Sequence, residues 1–226
     1  EISELFPDSF EDSELGEIPR GWEICSLRNL INFQNGYAFK SNNWKNSGIP
    51  VVKIGSVKPG IVDLSNVSYV DEEIANSCEE FRLSPGDILI GMTGYVGEVG
   101  LVPRGNIAPL LNQRVGKLIP KKIHYNSFVF CLARSTAFRK KVEELSSGSA
   151  QANISSMNIC NIQLVKPNQK VLEAFANIVD NHLESYLTIH KESEILSNLR
   201  DLILPKLISG EVRVQDAEKI IEEHGI

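Results

Sequence analysis

No run of eighteen apolar residues occurs in this sequence, so it offers no candidate for a membrane-spanning helix. Cysteine is scarce and scattered. The four residues (Cys25, Cys78, Cys131, Cys160) form no C-x-x-C pair. Neither a zinc site nor a disulfide framework is expected, and reduced thiols in a cytoplasmic protein are. The acidic, polar N-terminus is unlike a secretory signal. Catalytic signatures are missing together. There is no G-x-x-x-x-G-K-[ST] phosphate loop, no G-x-G-x-x-G after a strand and no G-x-S-x-G elbow. His124, His182, His190 and His224 are isolated, without metal-ligand spacing. No Asn-Pro-Pro-Tyr motif and no cluster of acids with lysine suits base methylation or metal-dependent DNA cleavage. The expectation is therefore a chain with no catalytic residue, no metal site and no cofactor of its own.

What is present begins with an uneven charge. The net charge is −6, which by itself argues against a nucleic-acid partner. Residues 1–20 carry seven acids and one base, and residues 211–226 carry five acids and two bases. Between them, residues 21–166 hold sixteen Lys/Arg against eleven Asp/Glu. A modestly basic body between acidic ends permits phosphate contact without requiring it.

The pattern along the chain divides it into four. Residues 1–20 read as an acidic leader, stopped by Pro19 and Gly21. Residues 21–166 carry short β-type runs at Trp22–Leu27, Pro50–Val57, Val67–Val70, Asp87–Met92, Glu98–Val102, Arg114–Ile119 and Ile159–Val165. One helix over Asn126–Leu145 interrupts them, with Asn126 or Ser127 as N-cap. Its Arg134, Arg139, Lys140 and Lys141 form either a solvated face or a set of phosphate contacts. From 167 to 210 one long helix is predicted, because Asn168 to Leu204 contains no glycine or proline. Pro205 is expected to disrupt it, and Gly210 to end its extension. Residues 211–226 are an acidic tail. The fold class expected is α+β: an irregular, mostly antiparallel β-rich domain with a few helices, then a long coiled-coil-forming helix.

Alternating steps of three and four along that helix give Leu172, Phe175, Val179, His182, Tyr186, Ile189, Ser193, Leu196, Arg200 and Ile203. Seven of these ten are apolar. Such a seam requires another helix, and no second long one is present in the sequence. Leu172, Phe175, Val179, His182, Tyr186, Ile189, Leu196 and Ile203 are therefore the candidate pairing residues. His182 serves packing or register there rather than ligation.

Four polar loops remain. The first mixes amides, lysines and aromatics and includes Lys40, Ser41, Asn42, Asn43 and Lys45. The second is Thr93-Gly94-Tyr95, and the third is Asn112-Gln113-Arg114. The fourth spans 147–153 with Ser149, Gln151 and Asn153. Amides pair bidentately with adenine, so Asn42, Asn43, Asn112, Gln113, Gln151 and Asn153 are candidates for that edge. Lys40, Lys45, Lys53 and Arg114 suit guanine or phosphate. Ordinary turn chemistry accounts for the same residues one loop at a time.

Several stretches together resemble the specificity subunits of type I restriction–modification enzymes. They are Leu15–Trp22, Gly36–Ser41, Gly48–Gly55, Gly86–Ile90 with Met92-Thr93-Gly94, Leu111–Arg114 and Leu199–Glu211. Their order and spacing span nearly the whole chain. The resemblance implies a target recognition domain at 21–166 that binds double-stranded DNA, then a helix for dimerisation and methyltransferase docking. It also implies that S-adenosylmethionine, ATP and Mg belong to partner methyltransferase and restriction subunits. Members of that family carry two such domains and two antiparallel helices; this chain has one of each. The leader resembles the segment before a second recognition domain, which favours a C-terminal half over a natural half-length subunit. A second copy or the other half is expected to pair with the helix. Two other classes stay open: a stand-alone dimeric DNA-binding regulator or anti-restriction decoy, and a detached recognition region of a fused nuclease–methyltransferase.

Overall fold

The computed structural model describes residues 2–146, 152–211 and 213. The chain forms two compact units, Glu1–Glu184 and Ser185–Ile226. Strands in chain order are β1 Phe10–Glu11, β2 Ile18–Pro19, β3 Glu23–Ser26, β4 Ile31–Asn35, β5 Ile49–Val52, β6 Gly60–Ile61, β7 Ser68–Val70, β8 Ile88–Gly91, β9 Val99–Leu101, β10 Leu110–Leu111, β11 Val115–Pro120 and β12 Gln163–Lys166. The helices are α1 Glu72–Ser77, α2 Asn126–Ala133, α3 Thr136–Ser146, α4 Ser156–Cys160 and α5 Gln169–Ser209.

The first unit is built on a five-stranded sheet of order β4-β11-β8-β9-β6. All four residues of β8 are buried, as its unbroken apolar run Ile88-Leu89-Ile90 requires of a central strand. A second sheet, β10-β5-β7, lies between two apolar clusters. Side chains alternate along a strand, so Val51 and Leu110 enter one cluster while Val52 and Leu111 enter the other. Among the described residues six of the eight strand pairings are antiparallel; β10–β5 and β6–β9 are parallel. Asp87 locks the turn before β8: its carboxylate accepts from the Ser84 amide at 2.7 Å and pairs with Lys117 of β11 at 2.6 Å.

Helical differences from the sequence expectation have local causes. The helix predicted over Asn126–Leu145 is two, because the Ser135 hydroxyl caps α3 by accepting from the Phe138 amide at 3.2 Å. Neither Asn126 nor Ser127 is the N-cap of α2; that position is Tyr125. Ile159 lies in α4, not in a strand. The long helix α5 is capped by Asn168, whose side chain accepts from the Val171 amide at 3.0 Å. It runs on through Pro205 and ends at Gly210, so proline does not stop it. It has 41 residues.

The start of α5 packs within its own chain. Leu172 is 1% exposed, and the Phe175 ring stands edge-on to Phe128 of α2 at 6.5 Å. Arg104 pairs with Glu184 further along the helix. Leu172 and Phe175 are therefore occupied inside the first unit, which corrects their assignment to a seam open to another chain. In the second unit, Leu187 and Ile203 are buried, whereas Tyr186, Ile189 and Leu196 are exposed. Ile203 thus also leaves the open seam. No described helix is long and apolar enough to cross a membrane.

Candidate nucleic-acid interface

Strand register gathers the polar loops at one end of the large sheet. Asn35 at the end of β4 is opposite Gly116, and Val115 at the start of β11 is opposite Gly91 at the end of β8. The loops that follow β4 and β8 and precede β11 must therefore leave from the same end. Backbone hydrogen bonds then join them. The Tyr37 amide donates to Leu111 O at 2.9 Å, and the Gln113 amide donates to Tyr37 O at 3.0 Å. The Met92 amide donates to Arg114 O at 3.0 Å, and the Gly94 amide donates to Ala152 O at 2.9 Å. The Thr93 hydroxyl donates to Asn153 Oδ1 at 2.9 Å. Glycine at 36 is what permits the first junction: a Cβ there would stand 2.3 Å from Asn112 O.

Side chains on this edge divide into committed and available groups. Gln113 and Arg114 are exposed and make no side-chain hydrogen bond or ion pair among the described residues. The same holds for Lys40, Ser41 and Asn42 in the first loop. Asn112 is different. It is 4% exposed, and its Oδ1 turns inward to accept from the Arg114 amide at 3.4 Å. It braces the loop from a largely buried position, which argues against its place among the adenine candidates.

The far part of the first loop belongs to β7 rather than to the joined edge. Phe39 and Trp44 anchor it through rings tilted at 45°, their centres 5.4 Å apart. Asn43 Oδ1 accepts from the Lys40 amide at 2.8 Å, closing the Ser41–Asn43 turn. The Lys45 amide bonds Tyr69 O, and its ammonium faces Asp71 at 3.7 Å. Lys53 donates to the Ser68 hydroxyl at 2.7 Å and lies 3.5 Å from the centre of the Trp44 ring. Burial lowers the pKa of its ammonium. Asn43, Lys45 and Lys53 therefore have partners within the chain. Ser149 and Gln151 lie outside the described residues.

The four basic residues of this region, Arg134 after α2 and Arg139, Lys140 and Lys141 on α3, are largely paired. Arg139 meets Glu98 and Glu143, Lys141 meets Glu144, and the Arg134 guanidinium sits over the Phe130 ring at 5.1 Å. That is the solvated-face reading; Lys140 alone of the four has no such contact among the described residues. The sequence reading missed two residues on the loop edge, Ser156 and Met157. Asn35 donates to the Ser156 hydroxyl at 3.5 Å, and Met157 follows, 69% exposed. The signal for them was the Asn153–Met157 stretch, which continues the fourth loop into α4. All four cysteines are free, and burial pushes each thiol up, toward the protonated form. Among the described residues no group of three or more His, Cys, Asp or Glu could hold a metal ion.

Residues 19–197 match the family described as "Type I restriction modification DNA specificity domain". The chain belongs to this family. Among similar members of the specificity-domain family is the type I restriction enzyme MjaVIII specificity subunit of Methanocaldococcus jannaschii. It is 29% identical over 216 residues, covering 92% of this chain and 50% of the relative. The HindI specificity subunit of Haemophilus influenzae is 24% identical, covering 86% of this chain and 42% of the relative. The chain thus spans about half the length of the curated relatives it matches. Among solved structures, the type I specificity subunit from M. genitalium superposes with a TM-score of 0.57 at 17% identity, covering 84% of this chain and 46% of that one. The HsdS subunit from Thermoanaerobacter tengcongensis gives 0.52 at 17% identity, covering 93% and 49%. These likenesses bear on the fold of the specificity-domain chain.

Proposed function

We propose that this chain reads one half-site of a bipartite DNA target as a non-catalytic specificity subunit of a type I restriction–modification system. The observation that carries the reading is the loop edge. Strand register and backbone hydrogen bonds bring Thr93, Gln113, Arg114 and Asn153 to one end of the sheet, and Gln113 and Arg114 have no side-chain partner among the described residues. An amide and a guanidinium held this way suit base edges and phosphates. Methyl transfer and cleavage would be the work of methyltransferase and restriction subunits, which would bring S-adenosylmethionine, ATP and Mg. The exposed face at Tyr186, Ile189 and Leu196 would pair with the helix of a second copy or of the other half of a longer subunit. The protein would work in the cytoplasm, where its DNA and partners are.

The test is methylome sequencing of a host with and without this chain. One bipartite methylated motif should disappear with it, and the purified chain alone should transfer no methyl group from S-adenosylmethionine. An unchanged methylome together with sequence-indifferent binding by the purified chain would overturn the reading.

A further inference from the structure

Tyr95 is the large exposed side chain of its loop. Met92 and Val96 are buried, while the Tyr95 ring is 65% exposed. The backbone beneath it is fixed. The Gly97 amide donates to Gly91 O at 3.0 Å, the Tyr95 amide to Thr93 O at 3.0 Å and the Gly94 amide to Ala152 O at 2.9 Å. The loop folds back so closely that a Cβ on Gly91 would lie 2.3 Å from Tyr95 O. Gly94 and Gly97, at φ +77° and +81°, make that turn possible. A large ring held out by a tethered backbone loses little conformational entropy when something covers it. Thr93, two residues before it in the same loop, pairs with Asn153 through its side chain, and the Arg114 backbone is tied to Met92.

We propose that Tyr95 is an aromatic wedge, whose ring stacks on a base at an opened step of the half-site. The proposal rests on the loop edge being the DNA-facing edge. Its chemistry is flat apolar contact, which needs the ring and not the hydroxyl. Flexible pyrimidine–purine steps, TA or CA/TG, are the steps that open at least cost. A wedge of this kind kinks the duplex by about 20° or more.

The test uses the full 226-residue chain and duplexes it recovers from a randomised library, with a donor and an acceptor dye at the duplex ends. Binding by the wild type should raise energy transfer as the duplex bends. Tyr95→Ala should weaken binding roughly ten- to a hundredfold and abolish the rise, with an unchanged melting temperature. Tyr95→Phe should keep both affinity and bend. Wild-type affinity and bend in Tyr95→Ala would overturn the wedge. So would a loss in Tyr95→Phe as large as in Tyr95→Ala, which would make a hydroxyl hydrogen bond the contact. Gln113→Ala and Arg114→Ala separate the two levels. If they shift the recovered motif while Tyr95→Ala does nothing, only the wedge fails. If none of the three has an effect, or no motif is recovered, the DNA-facing edge fails with it.

Discussion

Asn112 and Gln113 are sequence neighbours with opposite positions. One side chain turns into the domain and the other into solvent. Composition alone gives both the same chemistry, and only the tight junction between β10 and β11 separates them. Asn112→Ala should therefore act on stability. Loss of its buried acceptor costs about 1 kcal/mol, read as a fall of about 2–4 °C in the thermal midpoint with sequence preference retained. Gln113→Ala should act in the opposite way, with an unchanged midpoint and an altered preferred base at one position. For Arg114→Ala the salt dependence of binding tells its role. A uniform loss across sequences with the salt slope reduced by about 1 marks a phosphate contact, and relaxed preference at one position marks a base contact. Asp87→Ala removes a half-buried carboxylate that serves both the Ser84 amide and Lys117, and should cost about 1–3 kcal/mol in chemical denaturation.

Among elements, the strands with continuous or alternating apolar runs were legible, and β8 and β11 stand where their sequences place them. β4 is not assigned from the sequence although Ile31-Asn32-Phe33-Gln34 alternates apolar and polar, because the run is short; its pairing to β11 supplies its stability. The strand run expected over Ile159–Val165 takes in the end of α4, because Ile159 and Ile162 lie close to the apolar residues of β12. Pro205 is expected to disrupt the helix, yet α5 continues through it to Ser209. The seam on α5 was legible as a pattern but not in its use. The periodicity of Leu172 and Phe175 is identical whether they face the same chain or another, and only the ring of Phe128 decides. The first and later parts of the seam should separate on mutation. Leu172→Ala should destabilise the recognition domain by about 2–5 kcal/mol. Leu196→Asp should leave its midpoint unchanged and lower self-association in sedimentation, because that side chain is exposed in the single chain.

At the scale of the molecule, the loop edge could not be read from sequence spacing. Tyr37 and Asn153 are more than a hundred residues apart and meet the same edge only through the register of β4, β11 and β8. The acidic net charge pointed away from DNA, but the acids are concentrated at the two ends of the chain. A chain with one recognition domain that pairs with a second copy would read a target with two identical half-sites. The most direct measurement is selection of duplexes from a randomised library by the purified chain, in wild-type form and with Gln113 and Arg114 both changed to alanine. The account predicts one short motif for the wild type, and loss or change of one or two of its positions in the double variant. Recovery of the same motif by both proteins, or of no motif by either, would contradict it.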